Sequence, residues 1–188
     1  MDKALEKMTL EELWALFPIT LTPYNPKWKL WAEDEIINLQ ALLSAYSPII
    51  NHIGSTAIPD IQAKPIIDLL VEVTDKSVFS RIKAILNNNG YICMSDKTKR
   101  MSFNKGYTPK GYAERVFHIH LRVFGDNDEI LFRDYLISHS NVAKEYEDLK
   151  IGLLPKYRNN RDGYTAAKSN FIQRVLQLAK EDLKLTGN

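Results

Sequence analysis

The sequence predicts an α+β fold (α/β mixed), in which a mixed β-sheet is flanked by helices and followed by a helical C-terminal part. Two apolar segments, 48–53 and 66–74, have the length and composition of buried strands, and 114–124 is a further strand. Helical patterns occur both before and after these strands. The 188 residues suffice for one domain over 19–188, preceded by a helical extension over 1–18.

The N-terminal part begins with two predicted helices. Thr9 and Glu12 have the spacing of a capping box, and the helix that they begin ends before Pro18. A short strand over 19–21 follows. After a turn, apolar residues at helical spacing predict a second helix that begins near Trp28 and continues to about 43.

Strands and helices mix in the middle of the chain, and the end is helical. Further strands are expected at 48–53, 66–74, 91–94 and 114–124, and further helices at 76–88, 128–139, 141–152 and 164–184. Residues 95–112 are rich in lysine, glycine and proline, which predicts a mobile hairpin or loop.

Composition limits the possible partners. The net charge is +2, with 25 basic and 23 acidic residues mixed along the chain, so we expect no dedicated nucleic-acid surface. The single cysteine, Cys93, excludes a disulfide framework within the chain and favours a reducing compartment. We see neither a signal peptide nor a membrane span, so we expect a cytoplasmic protein.

The most informative segment joins the strands at 48–53 and 66–74. The first strand runs into the turn Gly54-Ser55, whose backbone amides and hydroxyl, with those of Thr56, can hold a phosphate. Asp68 lies in the second strand, where an uncompensated carboxylate is unfavourable, and Mg²⁺ prefers such oxygen ligands. The alternatives are an ordinary turn and a structural acid that pairs with Lys64.

A second acid and two histidines are further candidates. Glu72 shares a strand face with Asp68, but it lies about 13 Å along the strand, too far for both to bind one ion directly. His118, His120 and Arg122 share one face of the later strand, which favours a polar site with phosphate-contacting or acid/base groups. Two histidines at this spacing can also bind one metal ion, so His120 joins Asp68 and Glu72 as a candidate ligand.

Basic residues on the later helices complete the candidate phosphate site. Arg133 and Lys168 are expected on helices that close over a cleft, and Lys64 adds positive charge beside the strand that carries Asp68. The alternative for each residue taken singly is a solvated face or a surface ion pair.

Several motifs, in order and spacing, resemble the GrpB family. They are Pro23-Tyr-Asn-Pro-Lys-Trp28, His52-Ile-Gly-Ser-Thr-Ala-Ile-Pro59, Lys64-Pro-Ile-Ile-Asp68, His118-Ile-His120, Phe132-Arg-Asp-Tyr-Leu136, Tyr146 and Tyr164-Thr-Ala-Ala-Lys-Ser-Asn-Phe-Ile172. The resemblance covers about 20–182 and implies the nucleotidyltransferase superfamily, with the polymerase-beta-like fold. In that superfamily a Gly-Ser turn binds a triphosphate and acids on the following strand bind two Mg²⁺ ions.

Three features depart from the pattern that the resemblance implies. Gly54, Ser55 and Asp68 match it, but Leu70 occupies the place of the second acid. Histidines stand where the later strand is expected to supply a third acid, and Asp60 stands where the family often has glycine.

Three functions therefore stay open. The first is a nucleotidyltransferase that binds a nucleoside triphosphate with Mg²⁺ or Mn²⁺ and no organic cofactor, with Asp68, His118 and His120 as catalytic residues. The second is a catalytically degenerate module that binds a nucleotide or another phosphorylated small molecule. The third is a metal-dependent phosphohydrolase that uses His52 with the same three residues.

Overall fold

A computed structural model describes residues 4–186. Its strands are β1 (Ile49–Ile53), β2 (Ile67–Val73), β3 (Ile92–Lys97), β4 (Arg100–Thr108) and β5 (Gly111–Val123). Its α-helices are α1 (Leu10–Leu16), α2 (Lys27–Leu42), α3 (Phe79–Asn88), α4 (Asp128–Ser138), α5 (Ser140–Tyr157), α6 (Arg161–Ala167) and α7 (Ser169–Thr186). The predicted α+β class, with helices around a mixed sheet, is confirmed.

The five strands form one sheet in the order β1-β2-β5-β4-β3. β2 pairs with β5 in parallel, and the other neighbouring strands pair antiparallel. The parallel pair is central, because β1 covers the outer edge of β2 and β4 covers the outer edge of β5. Side chains of β2 and β5 are therefore held on both sides by paired strands, which is where the site residues lie.

One face of the sheet contributes to the main core, and the C-terminal helices form a second cluster. Alternate residues of β2, including Leu69 and Val71, pack with α2 and α3 in a cluster that contains Trp28 and Leu86. A second cluster joins α4, α5 and α7 through residues such as Phe132. Because strand side chains alternate, Asp68 faces away from the first cluster and towards the C-terminal helices.

Several local predictions are confirmed by these elements. Thr9 and Glu12 form the capping box, since the Thr9 hydroxyl accepts from the Glu12 backbone and the Glu12 side chain accepts from the Thr9 backbone. α2, β1, β2, α3 and α4 lie within a few residues of their predicted bounds.

No helix within 4–186 has both the length and the apolar character needed to cross a bilayer.

Two predicted segments differ from the structure. Residues 19–21 form no strand; the nearest pairing is a single bridge between Thr22 and Ala63. The hairpin or loop expected over 95–112 is a hairpin within the sheet, and the segment includes the end of β3, all of β4 and the start of β5. Met101 and Phe103 are buried on one face of β4, but the lysines and glycines around them made this alternation hard to recognise in the sequence.

The C-terminal helices also differ from the prediction. α5 continues past its expected end through Gly152 and Pro155, two residue types that disfavour helix interiors. The single helix expected over 164–184 is two helices, α6 and α7, which meet at Lys168. This junction matters because it places Lys168 beside the sheet rather than along one continuous helix.

Candidate functional site

The parallel register of β2 and β5 brings three predicted residues together. Asp68 lies opposite His118, and Leu70 lies opposite His120, so all three polar side chains project from one face. Asp68 Oδ1 lies 3.2 Å from His118 Nδ1 and 3.1 Å from His120 Nε2. The side chains are 23–26% exposed, so the group is open to a ligand without being at the free surface.

Hydrogen bonding determines the charge and the tautomers in this group. Burial opposes ionisation of Asp68, but the hydrogen bonds from His118 and His120 outweigh it and hold the pKa of Asp68 well below its usual range. Burial also lowers the pKa of His118, so its ring is neutral at pH 7. An ionised carboxylate only accepts, so His118 carries its proton on Nδ1 and donates it to Asp68.

The other ring nitrogen of His118 completes a chain of hydrogen bonds. Burial raises the pKa of Tyr107, so the phenol keeps its proton and donates to His118 Nε2 over 2.8 Å. Arg161 Nη2 in turn donates to the Tyr107 oxygen over 2.6 Å. The chain from Arg161 through Tyr107 and His118 to Asp68 fixes the orientation of the imidazole ring.

The turn after β1 touches Asp68 directly. Gly54 has φ 72° and ψ −173°, a conformation available essentially only to glycine. A Cβ on Gly54 would lie 2.6 Å from Asp68 Oδ2 and 3.0 Å from Asp68 Cβ. Glycine is therefore required at position 54 for two reasons: it adopts the backbone conformation of the turn, and it leaves room for the Asp68 carboxylate.

The next two residues have different roles. Within 4–186 the Ser55 hydroxyl has no hydrogen-bond partner, and the residue lines the cavities beside Asp68. The Thr56 hydroxyl donates to the Ile66 carbonyl over 3.2 Å and lies 3.0 Å from His52 Nε2, which donates to it. Burial lowers the pKa of His52 to about 4, so this neutral ring braces the turn.

A basic cavity of about 330 Å³ lies on one side of Asp68. We call it the basic cavity; its charged lining residues are Lys64, Lys150, Arg161, Lys168 and Asp68. Burial, followed by repulsion from Arg161 and Lys168, lowers the pKa of Lys64 to about 7. Burial and repulsion from Lys168 likewise lower the pKa of Lys150 to about 7. In the described chain none of the four cations forms an ion pair with a carboxylate.

A second cavity of about 390 Å³ adjoins the first. The two share Ser55, Asp68, His120 and Lys168. Its remaining lining includes the acids Asp128 and Glu129, the cation Arg100, and the aromatic rings of Phe132 and Tyr146. We call it the acidic cavity. Asp68 thus stands at the boundary between a cationic and a more anionic compartment.

Three predicted residues lie elsewhere. Arg122 is buried and donates to the carbonyls of Met101 and Leu121, both at 3.0 Å, and it lines neither cavity. Arg133 donates to the His52 carbonyl over 2.7 Å and pairs with Asp134, its neighbour in the chain. These guanidinium groups are occupied by the protein itself.

Glu72 is also a structural residue. Its side chain is buried, and Oε1 accepts from the Gly125 backbone amide over 2.9 Å. It fixes the connection after β5 and lines neither cavity. Glu72 lies outside the cavities because it is four residues along the strand from Asp68, as its position in the sequence already indicated.

The structure adds Arg161 and Tyr107 to the predicted residues, and of the lysines on the later helices it also brings Lys150 into the basic cavity. Lys150 follows Val142 and Tyr146 at intervals of four on α5, so a lysine occupies the buried stripe of that helix. That conflict between charge and periodicity was a signal available in the sequence. Arg161 and Tyr107 gave no such signal, because they reach the site from the start of α6 and from β4.

The donor atoms do not fit the two-Mg²⁺ site that the family resemblance implies. Mg²⁺ favours near-octahedral oxygen coordination, and here one carboxylate stands with two imidazoles. Leu70, at the place of the second acid, is fully buried and offers no ligand. Carboxylate with imidazole is instead a donor set used for transition metals.

Comparisons with known proteins agree with the motifs. The GrpB protein family profile matches residues 18–178. UPF0157 protein YqkA of Bacillus subtilis is 34% identical over 168 residues, which are 88% of this chain and 48% of that protein. Glutamate-rich protein GrpB of Alkalihalophilus pseudofirmus is 34% identical over 164 residues, 84% of this chain and 94% of that protein.

A solved structure is also similar. The conserved protein GrpB from Enterococcus faecalis superposes with a TM-score of 0.74 and 30% identity, covering 87% of this chain and 98% of that one. The chain spans about half the length of YqkA, whereas it spans nearly all of the Enterococcus protein. The extent of the family match and the identity of these relatives show that this chain belongs to the GrpB family.

Proposed function

We propose that this protein binds a nucleoside triphosphate, with the phosphates in the basic cavity beside the Gly54-Ser55 turn. The observation that carries the proposal is the excess of basic groups in that cavity: four basic side chains line it with one carboxylate, Asp68, which already accepts from two histidines. Buried cations without anionic partners are unfavourable in an empty protein. A polyanion supplies the missing partners.

The lining explains how phosphates are held. Lys64 and Lys168 provide charge, and the Ser55 hydroxyl is free to donate to a phosphate oxygen. Arg161 Nη2 donates to the Tyr107 and Tyr112 hydroxyls, so its other guanidinium N–H groups are the ones left to donate to a phosphate. The adjoining acidic cavity gives room for the rest of the ligand, with Phe132 and Tyr146 as apolar surface.

Nucleotidyl transfer to an acceptor rests on the family resemblance, together with the position of Asp68 beside the turn. The missing carboxylate at Leu70 favours the second candidate, a module that binds the nucleotide without turnover. The third, a phosphohydrolase, is supported by the grouping of Asp68, His118 and His120, but His52 does not belong to that group because its ring is bonded to Thr56.

The test is calorimetric titration of the purified protein with inorganic tripolyphosphate and then with ATP, CTP, GTP and UTP. In a separate thermal unfolding experiment, we expect each nucleotide that binds to raise the melting temperature of the protein by mass action. Lys64→Ala and Lys168→Ala should each weaken tripolyphosphate binding by about tenfold or more, the effect of losing one hydrogen bond to a charged group. Lys83→Ala is the matched control, because Lys83 lies on α3 and pairs with Asp96.

The same titrations separate the candidates. Binding that is lost in the two lysine variants and retained in Lys83→Ala supports the proposal, and absence of tripolyphosphate binding at millimolar concentration overturns it. Repeating the nucleotide titrations with Mg²⁺ or Mn²⁺, on the natural protein and Asp68→Asn, tests the predicted metal dependence. Release of pyrophosphate identifies transfer, and release of inorganic phosphate identifies hydrolysis. If neither product is released, the protein is a binding module.

A further inference from the structure

One oxygen and two nitrogen donors converge at the boundary of the two cavities. Asp68, His118 and His120 each offer a ligand atom, and these atoms lie within 4.8 Å of one another. Ligands bound at about 2.1 Å in a tetrahedron are separated by about 3.4 Å. The oxygen–nitrogen distances of 3.1 and 3.2 Å are slightly shorter, so a small side-chain movement would admit an ion.

The donor types select the class of ion. A carboxylate and two imidazoles form the ligand set of many catalytic Zn²⁺ sites and of the Fe²⁺ sites with open positions. Within 4–186 this is the one cluster of at least three histidine, cysteine or acidic side chains with metal-binding spacing. The fully buried Leu70 removes the additional oxygen that Mg²⁺ would need.

The surroundings of the histidines also suit a metal ligand. A ligating histidine nearly always donates through its other ring nitrogen, and His118 Nε2 lies 2.8 Å from the Tyr107 hydroxyl. With Nδ1 on the ion, the ring proton would move to Nε2 and be donated to the Tyr107 oxygen, the reverse of the direction in the empty site. Arg161 holds that hydroxyl in place. The lysines repel a cation on one side, whereas on the other side His120 faces the acidic cavity, where Asp128 and Glu129 line the wall together with Arg100. Asp128 pairs with Lys180 and Glu129 with Arg122, so these acids do not add an unpaired negative charge.

We infer that Asp68, His118 and His120 bind one first-row transition-metal ion of the imidazole-binding class, such as Zn²⁺, Fe²⁺ or Co²⁺, in preference to Mg²⁺. The inference deepens the proposed function and rests on it, because the ion would lie beside the phosphates. The competing explanation is that the two histidines only hold the Asp68 carboxylate ionised and fixed.

Co²⁺ is the probe, because its visible absorption reports the ligands directly and requires no activity. Protein treated with a chelator is titrated with Co²⁺ in phosphate-free buffer. We expect one equivalent to bind, His120→Ala and His118→Ala each to lose the band or weaken binding at least tenfold, and Tyr107→Phe to weaken it by about 10- to 100-fold. His139→Ala is the matched control, since His139 stacks on Tyr135 and lines neither cavity.

Competition decides the preference. Zn²⁺ at one equivalent should displace Co²⁺, whereas Mg²⁺ in hundredfold excess should leave the band in place. Displacement by Mg²⁺, no Co²⁺ binding, or equal binding by the two histidine variants and the natural protein would each overturn the inference. Circular dichroism confirms that the variants fold; where one alanine variant does not, the same comparison is made with His120→Gln.

The metal titration and the tripolyphosphate titration fail independently. Tripolyphosphate binding without Co²⁺ binding overturns the metal site and leaves the proposed function standing. Co²⁺ binding without tripolyphosphate binding overturns the proposed function, and with it the reason to connect the ion to phosphates.

Discussion

Replacing Gly54 with alanine tests how closely the turn and the carboxylate depend on each other. The backbone conformation at this position disfavours any side chain by about 1–3 kcal/mol. The added Cβ would also lie 2.6 Å from Asp68 Oδ2 and 3.0 Å from Asp68 Cβ. Rotation of the carboxylate relieves only the first contact, so overpacking adds about 1–3 kcal/mol. We expect a total loss of about 4 kcal/mol in the free energy of unfolding.

Gly90→Ala separates the two contributions. Gly90 also has a positive φ, 83°, but nothing lies within 4 Å of the Cβ that would be added, so its substitution should lose only about 1–2 kcal/mol. Urea unfolding followed by circular dichroism gives both values. For a chain of this length, about 4 kcal/mol lowers the melting temperature by about 8–16 °C. Equal destabilisation by the two substitutions would refute the claim that Gly54 is required by its contact with Asp68.

Two further predictions concern charge and burial. Lys64 and Lys150 have pKa values lowered to about 7, so at pH 8 they are mostly neutral when the cavity is empty, and a bound phosphate favours their charged form. The protein should therefore take up protons when tripolyphosphate binds at pH 8, and take up few protons at pH 6. Calorimetry in buffers of different ionisation enthalpy measures this uptake, and no uptake at pH 8 would contradict the prediction. Leu70→Ala should lose about 2–5 kcal/mol of stability, and Leu70→Asp more, because the side chain is fully buried. A Leu70→Asp protein as stable in urea as the natural one would show that an acid is tolerated there.

Strand periodicity predicted the faces on which the central residues lie, but not the strand pairing that brings them together. The alternation of β2 and β5 gave Asp68, His118 and His120 a common side in each strand, and parallel pairing then placed them in contact. The same periodicity included Arg122, which is on the expected face but folds its guanidinium onto backbone carbonyls. Strand alternation predicts the face on which a residue lies, but it does not predict which groups a long side chain will contact.

The basic cavity could be predicted only in part, because its residues are far apart in the chain. Lys64 and Lys168 were identified from motifs near the strand and the last helix. Arg161 was missed because it begins α6, a helix that the sequence merged with α7. Asp60 shows the opposite case, where a departure from the family pattern has a simple physical explanation: its φ is 61°, a left-handed conformation that glycine adopts freely and aspartate tolerates.

The charge of the basic cavity depends on whether the cavity is occupied. With pKa values of about 7, Lys64 and Lys150 can release their protons near neutral pH, which relieves the repulsion from Lys168 and the penalty of burial. The empty protein therefore avoids part of the repulsion that four permanent cations around one cavity would cause. A phosphate that enters restores both charges and pairs with them, so the fold tolerates the cavity when it is empty and attracts anions when they arrive. Arg161 keeps its charge throughout, because the Tyr107 and Tyr112 hydroxyls accept from it.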